Sequence, residues 1–299
     1  MSAITTGRAA ADVSTQPIAG GLTGFVRRSA LAIRRRTVGT VKAALPPLVT
    51  LGLFLVGWLA VSYGLLTPEK RFLLPPPQDV VSVGILDPNS FNEIWTGLVN
   101  TAQVAFTGLF ISIVVGFAIA IVMAQSRLFE RALYPWAVVL QTVPILALVP
   151  IIGFWYGFDF GSRVIVCVLI SLFPIITNTL FGLRSADRGH HDLFTLHGAS
   201  RLQRLLKLQL PGALPAIFTG LRISGGLSVV GAIVGDFFFR QGDPGLGRLL
   251  DMYTARLESE RLFAAVIFSS LLGLSVFWFF GIVGRLAVRS WHESAQERP

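Results

Sequence analysis

Three histidines and an aspartate crowd together at His190, His191, Asp192 and His197. A zinc-type site needs three or four such ligands held in a fixed geometry. A His-His-Asp run on a helix turns its members in different directions, so no metal centre is expected. Cys167 is the single cysteine, which excludes an intrachain disulfide and a cysteine-based metal site. It lies in an apolar run and is expected to be a small packing residue. The chain carries no Gly-Lys-Ser/Thr loop of the kind that cradles nucleotide phosphates. It is therefore not expected to hydrolyse ATP, to perform catalysis or to hold a cofactor. What remains is a set of polar groups in apolar surroundings: Gln141, Asn178, Arg222 and Asp236. Such groups inside apolar spans mark pathways by default, and these four are candidate pathway residues. For Arg222 the alternative is snorkelling to a membrane surface. Asp236, Arg240 and Asp243 either touch a partner protein or solvate a loop.

The elements that must position these groups follow from composition. Of 299 residues, 53% are hydrophobic and 14% are charged. A soluble domain carries about 25% charged residues, so lipid is the natural solvent for the apolar excess. A helix needs roughly 20 apolar residues to cross the hydrocarbon layer. That ruler places spans at about 45–66, 98–124, 134–157, 162–183, 213–235 and 263–287. The third is interrupted by Pro144 and Pro150, which predicts one kinked helix. The first apolar run follows more than 40 residues and is about 20 long, too late and too long for a cleaved leader. The fifth span has a small-residue face of Gly225, Gly226, Gly231 and Gly235, suited to tight packing and expected at a dimer interface or along a pathway. Between spans, Leu74, Pro75, Pro76 and Pro77 predict a stiff extended stretch, and 236–262 contains a Gly-Asp-Pro-Gly turn cluster.

Net charge is +9, and its distribution decides what it means. With a cytoplasmic N-terminus, the inside segments hold 17 Lys and Arg and the outside segments 7. Orientation therefore explains the basic excess, and nucleic-acid binding loses its support. An even number of spans puts both termini in the cytoplasm. Residues 1–21 read as a disordered tail. Arg27, Arg28, Arg34, Arg35, Arg36 and Lys42 form a basic amphipathic segment suited to anionic membrane lipid. The expected organisation is a tail at 1–43, a transmembrane domain at 44–290 and a second tail at 291–299.

The longest internal inside segment, 184–212, is not a plain connector. Leu193, Phe194, Leu196, Leu202, Leu205, Leu206 and Leu208 recur at helical spacing. Gly198 separates two short helical stretches, and Pro211 is expected to close the second. About 29 ordered residues where a few would connect two spans indicate a docking surface.

This segment resembles the signature of the inner-membrane permeases of type I ATP-binding cassette importers. That signature runs E-A-A, three residues, G, nine residues, then I-x-L-P. Asp192 stands at the acid, Leu193 and Phe194 at the two alanines, and Gly198 at the glycine. Nine residues later come Leu208, Gln209, Leu210 and Pro211. Leu73 to Pro77, Val143-Pro144 to Gly157, Leu172-Phe173-Pro174 with Asn178, Arg184, Asp187 and Pro211 to Pro215 resemble the subgroup importing sulfonates, taurine, nitrate and related solutes. The resemblance implies an all-α polytopic bundle of about six spans in a bacterial inner membrane. It implies a homodimer, a separate ATPase that binds the ATP, and an extracytoplasmic solute-binding protein. It implies ATPase docking through Asp192, Leu193, Phe194, Leu196, Gly198, Ala199, Leu208, Leu210 and Pro211. The solute would be of the sulfonate, taurine, nitrate, thiamine-precursor pyrimidine or riboflavin class. A secondary transporter driven by an ion gradient is the alternative, but it needs paired broken helices and mid-membrane acids. A membrane enzyme would need more than the histidine group.

Overall fold

A computed structural model describes residues 45–239 and 241–288. The tails at 1–43 and 291–299, the basic amphipathic segment and Arg240 lie outside the described residues. The chain divides into two units after Ala60. The first contributes most of α1 (Leu45–Leu65), whose Phe54 and Trp58 rings meet edge to face at 6.0 Å.

Everything regular among the described residues is helical. Leu74 and Pro76 are extended, as the proline run predicts, but Pro77 already opens α2, Pro77–Asp79 with its continuation Val80–Ile85. Proline is tolerated there because the first helical N–H has no partner to lose. α3 (Pro88–Gln125) starts ten residues before the apolar window does. Asp87 caps it by accepting from the Ser90 backbone N–H at 2.9 Å and from the Ser90 hydroxyl at 2.7 Å. The expected third span is two helices, α4 (Arg127–Thr142) and α5 (Ile145–Tyr156), bent by 99°. The break falls at Val143-Pro144, because proline lacks the N–H and drives the residue before it out of helical geometry. Pro150 remains inside α5 without ending it.

α6 (Phe160–Arg184) is capped by Asp159, which accepts from Gly161 N–H at 3.0 Å. α7 (Arg188–Leu196) is capped by Asp187 in the same way through Gly189. α8 (Arg201–Phe238) begins with a capping box between Ser200 and Gln203. Pro211 does not close a helix here. A π-turn at Leu205–Gln209 precedes it, with Leu210 N–H donating five residues back to the Leu205 carbonyl. The wider turn absorbs the missing proline N–H, and the helix runs on into the span. The segment 236–262 contains, beyond its turn cluster, α9 (Leu246–Arg256), which buries Leu246, Leu249 and Tyr253. α10 (Ser259–Val288) is the last element.

The core is α6 packed against α8 and α3, with α10 laid along α8. Small residues let the backbones approach. A Cβ on Gly231 would sit 2.8 Å from the Cys167 Cα, and one on Gly220 would sit 2.9 Å from the Pro174 carbonyl. Gly225 faces Val276 and Phe280 of α10. The small-residue face of α8 is thus used within the chain, and only Gly226 has open space around it. Polar bonds join the same helices: Ser112 and Ser171 hydroxyls lie 2.8 Å apart, and Ser224 donates to the Ser171 carbonyl at 2.7 Å. Cys167 is buried among these contacts, with its Sγ 3.3 Å from the Ser228 carbonyl.

Candidate functional site

α7 and the start of α8 form a helix–turn–helix at one end of the bundle. The turn is made by Gly198, whose φ is +64°. A residue with a Cβ is strained in that left-handed region. Its Cβ position meets nothing within 4 Å. The turn, and no close approach within this chain, is what requires glycine. Leu193 is 52% and Leu196 83% exposed, and Asp192 is exposed beside them. Between α7 and α8 lies a cleft of about 480 Å³ lined by Leu193, Phe194, His197, Ala199, Gln203 and Lys207. Arg204 donates to the Thr195 hydroxyl at 3.1 Å and braces one helix on the other. His197 Nδ1 lies 2.9 Å from the Leu193 carbonyl.

The remaining signature positions point elsewhere. Leu208 and Pro211 are half-buried, and Leu210 packs on the main core beside buried Leu205. They anchor the segment to the bundle. The nine signature residues therefore separate into an outward group on α7 and an anchoring group on α8. Glu130 of α4 and Arg184 of α6 pair next to this end through both carboxylate oxygens.

The four pathway candidates do not converge. Gln141 lines a cavity of about 290 Å³ with Leu140, Ile145, Ile170, Phe173 and Leu227, just before the α4–α5 break. Asn178 bonds inside its own helix, donating to the Pro174 carbonyl at 2.8 Å. Arg222 lies in a second cavity against α10, with its guanidinium 4.2 Å from the Phe277 ring centroid. This geometry lays it along α10.

Asp236 neither touches a partner nor solvates a loop: it is fully buried. One carboxylate oxygen accepts from Arg163 at 3.0 Å and the other from the Thr101 hydroxyl at 2.5 Å. Thr101 in turn accepts from the Leu246 N–H at 2.7 Å. Arg163 also donates to the carbonyls of Asp243 at 3.0 Å, Phe239 at 3.2 Å and Gln241. Asn100 closes the cluster through the Pro244 carbonyl at 2.9 Å. α3, α6, α8 and the α8–α9 connection meet at this one ion pair. Arg163 reads in the sequence as one more loop charge. The available signal was that opposite charges stand at the ends of two adjacent apolar spans.

Residues 112–289 match the family described as the binding-protein-dependent transport system inner membrane component. The chain belongs to that family. It is a multi-pass permease and a transport subunit, not an enzyme. Among its relatives, the formylaminopyrimidine transport permease protein ThiX of Halalkalibacterium halodurans is 37% identical over 205 residues, covering 69% of this chain and 80% of that protein. The riboflavin transport system permease protein RibX of Chloroflexus aurantiacus is 32% identical over 246 residues, covering 82% of this chain and 90% of that one. A putative aliphatic sulfonates transport permease protein of Escherichia coli is 31% identical over 228 residues, covering 76% and 84%. In fold, the permease resembles a chain of the MetNI methionine ABC transporter solved in inward-facing conformations, with a TM-score of 0.59 at 15% identity, covering 67% of this chain and 99% of that one.

Membership in this family accounts for the absence of a nucleotide loop. A binding-protein-dependent permease works with an ATPase subunit and a solute-binding protein.

Proposed function

We propose that this permease pairs with a second copy of itself to form the pathway for a small solute, and that α7 is where the ATPase docks. ATP is held by the separate ATPase, and both termini and the α7 end face the cytoplasm. Asp192, Leu193, Phe194, Leu196, Gly198 and Ala199 form the contact. Leu208, Leu210 and Pro211 hold that contact on the bundle. The observation that carries the reading is the Gly198 turn, which presents Leu193 and Leu196 outward beside an apolar cleft. Large exposed apolar side chains on a short helix outside the spans are costly unless a partner covers them. The excess of Lys and Arg on the α7 side supports the orientation. The names of the relatives support a solute of the sulfonate, taurine, nitrate, thiamine-precursor pyrimidine or riboflavin class.

The test is co-purification with the cognate ATPase in nanodiscs, comparing wild type with Leu196→Asp and Gly198→Glu. Binding-protein-stimulated ATP hydrolysis should be present in wild type and lost in both variants, with the melting temperature of Leu196→Asp unchanged. Retained coupling in both variants refutes docking at α7. Formylaminopyrimidine, riboflavin, taurine, alkylsulfonates and nitrate can then be screened through the same stimulation.

A further inference from the structure

Arg222 and Arg285 bring two positive charges to one glycine. Arg222 leaves α8 and lies along α10, where its Nε would come within 3.2 Å of a Cβ built on Gly281. Arg285, one turn further along α10, donates from its own Nε to the Gly281 carbonyl at 3.3 Å. A side chain at 281 would meet the Arg222 guanidinium, so the glycine makes the convergence possible. Like charges repel, and the half-buried Arg222 is less screened by water than the exposed Arg285. The Phe277 ring beneath Arg222 offsets only part of this, and the buried Arg222 Nε has no hydrogen-bond partner. Among the described residues neither arginine forms an ion pair. No Asp or Glu occurs in 210–235 on α8 or in 262–288 on α10. Beside the pair is a cavity of about 270 Å³ whose walls include Phe218, Thr219, Phe280 and Gly284.

We propose that this cavity binds an oxyanion, a phosphate or sulfonate group, that neutralises both arginines at once. Guanidinium forks match such groups with paired N–H donors. The Thr219 hydroxyl proton is already committed to the Pro215 carbonyl at 2.9 Å, so the arginines supply the donors. The aromatic and glycine walls leave room for the group without competing for its oxygens. Two sources share this chemistry: the headgroup of an anionic lipid and a free anionic solute. The site is independent of ATPase docking at α7 and does not rest on that reading.

The experiment uses the full-length permease with its ATPase in detergent. Native mass spectrometry reads retention of phosphatidylglycerol against phosphatidylcholine. Thermal melting reads stabilisation by inorganic phosphate and by methanesulfonate. Arg222→Gln and Arg285→Gln should each weaken the bound anion by about fivefold, and Arg222→Lys should lose less. A phosphatidylglycerol preference that the glutamine variants lose identifies a lipid headgroup. Stabilisation by phosphate or methanesulfonate that they lose identifies a free anion. Arg285 is exposed, so Arg285→Gln tests the site without threatening the fold. Equal binding of all three probes by wild type and by a folded Arg285→Gln variant overturns the proposal.

Discussion

Replacing Asp236 by asparagine removes the one carboxylate facing Arg163 and leaves that guanidinium buried without a counter-charge. Both side chains are almost wholly buried, at 4% and 0% exposure. Losing one partner of a buried pair costs about 3–5 kcal/mol. The carbonyls of Phe239, Gln241 and Asp243 still accept from Arg163, which places the expected loss near 3 kcal/mol on that scale. For a chain of this size each kcal/mol is worth about 2–4 °C of melting temperature. Asp236→Asn should therefore melt about 10 °C below wild type. Arg163→Met should fall comparably, because it strands the carboxylate and three carbonyls. The double variant Arg163→Met/Asp236→Asn removes both charges of the pair. It should be more stable than the sum of the singles predicts, by at least about 1 kcal/mol. The assay is thermal melting in nanodiscs for all four proteins. Unchanged melting in Asp236→Asn, or strictly additive losses in the double variant, refutes the reasoning.

At Gly198 the left-handed backbone with open space around it predicts strain without a clash. Gly198→Ala should weaken ATPase pull-down while shifting melting by about 1–2 kcal/mol at most, and Gly198→Asn should recover much of the binding because asparagine tolerates that region. Arg184→Gln removes a pair that is 38% and 25% exposed. Its effect on melting should stay below about 1 kcal/mol and shrink further in high salt. The Asp87 carboxyl is held below its ordinary value of 3.8, first by the Ser90 backbone N–H and then by the Ser90 hydroxyl. A depressed value in the folded state means the cap is fully present above 3.8 and fades only as pH falls through the lower, folded value. Hydrogen exchange at the start of α3 should accelerate in that acidic window, and Asp87→Ala should show the acceleration at neutral pH.

Five of the six spans were legible because uninterrupted apolar length is a strong signal that does not depend on neighbours. For the third the sequence predicts one kinked helix, because apolar length carries no information about direction. Pro144 and Pro150 look alike in the sequence, yet only the first coincides with a change of direction. α3 begins ten residues before the expected span because its first turns, from Pro88 to Gly97, mix polar with apolar residues and start from the Asp87 cap. α9 was hidden behind the Gly-Pro cluster ahead of it, although Leu246, Leu249 and Tyr253 carried helical spacing. Around α7 and the start of α8 the spacing from Gly198 to Pro211 is readable in the sequence. The π-turn is not, since nothing local announces that Leu205–Gln209 will widen to carry Pro211 inside a continuous helix. The Arg163–Asp236 pair was not legible either. Its members are far apart in sequence, and each has a bland reading as a loop charge or a span end.

The continuity of α8 has a mechanical consequence. Its softest point, the π-turn followed by Pro211, lies near one end. A joint at that point separates two arms: the first turns of α8, about 15 Å long, and the span beyond them, about 40 Å long and packed on α6 and α3. The far end of the long arm is held at Asp236 by Arg163 and Thr101. Bending at the π-turn therefore lets the α7 end move while that ion pair stays closed.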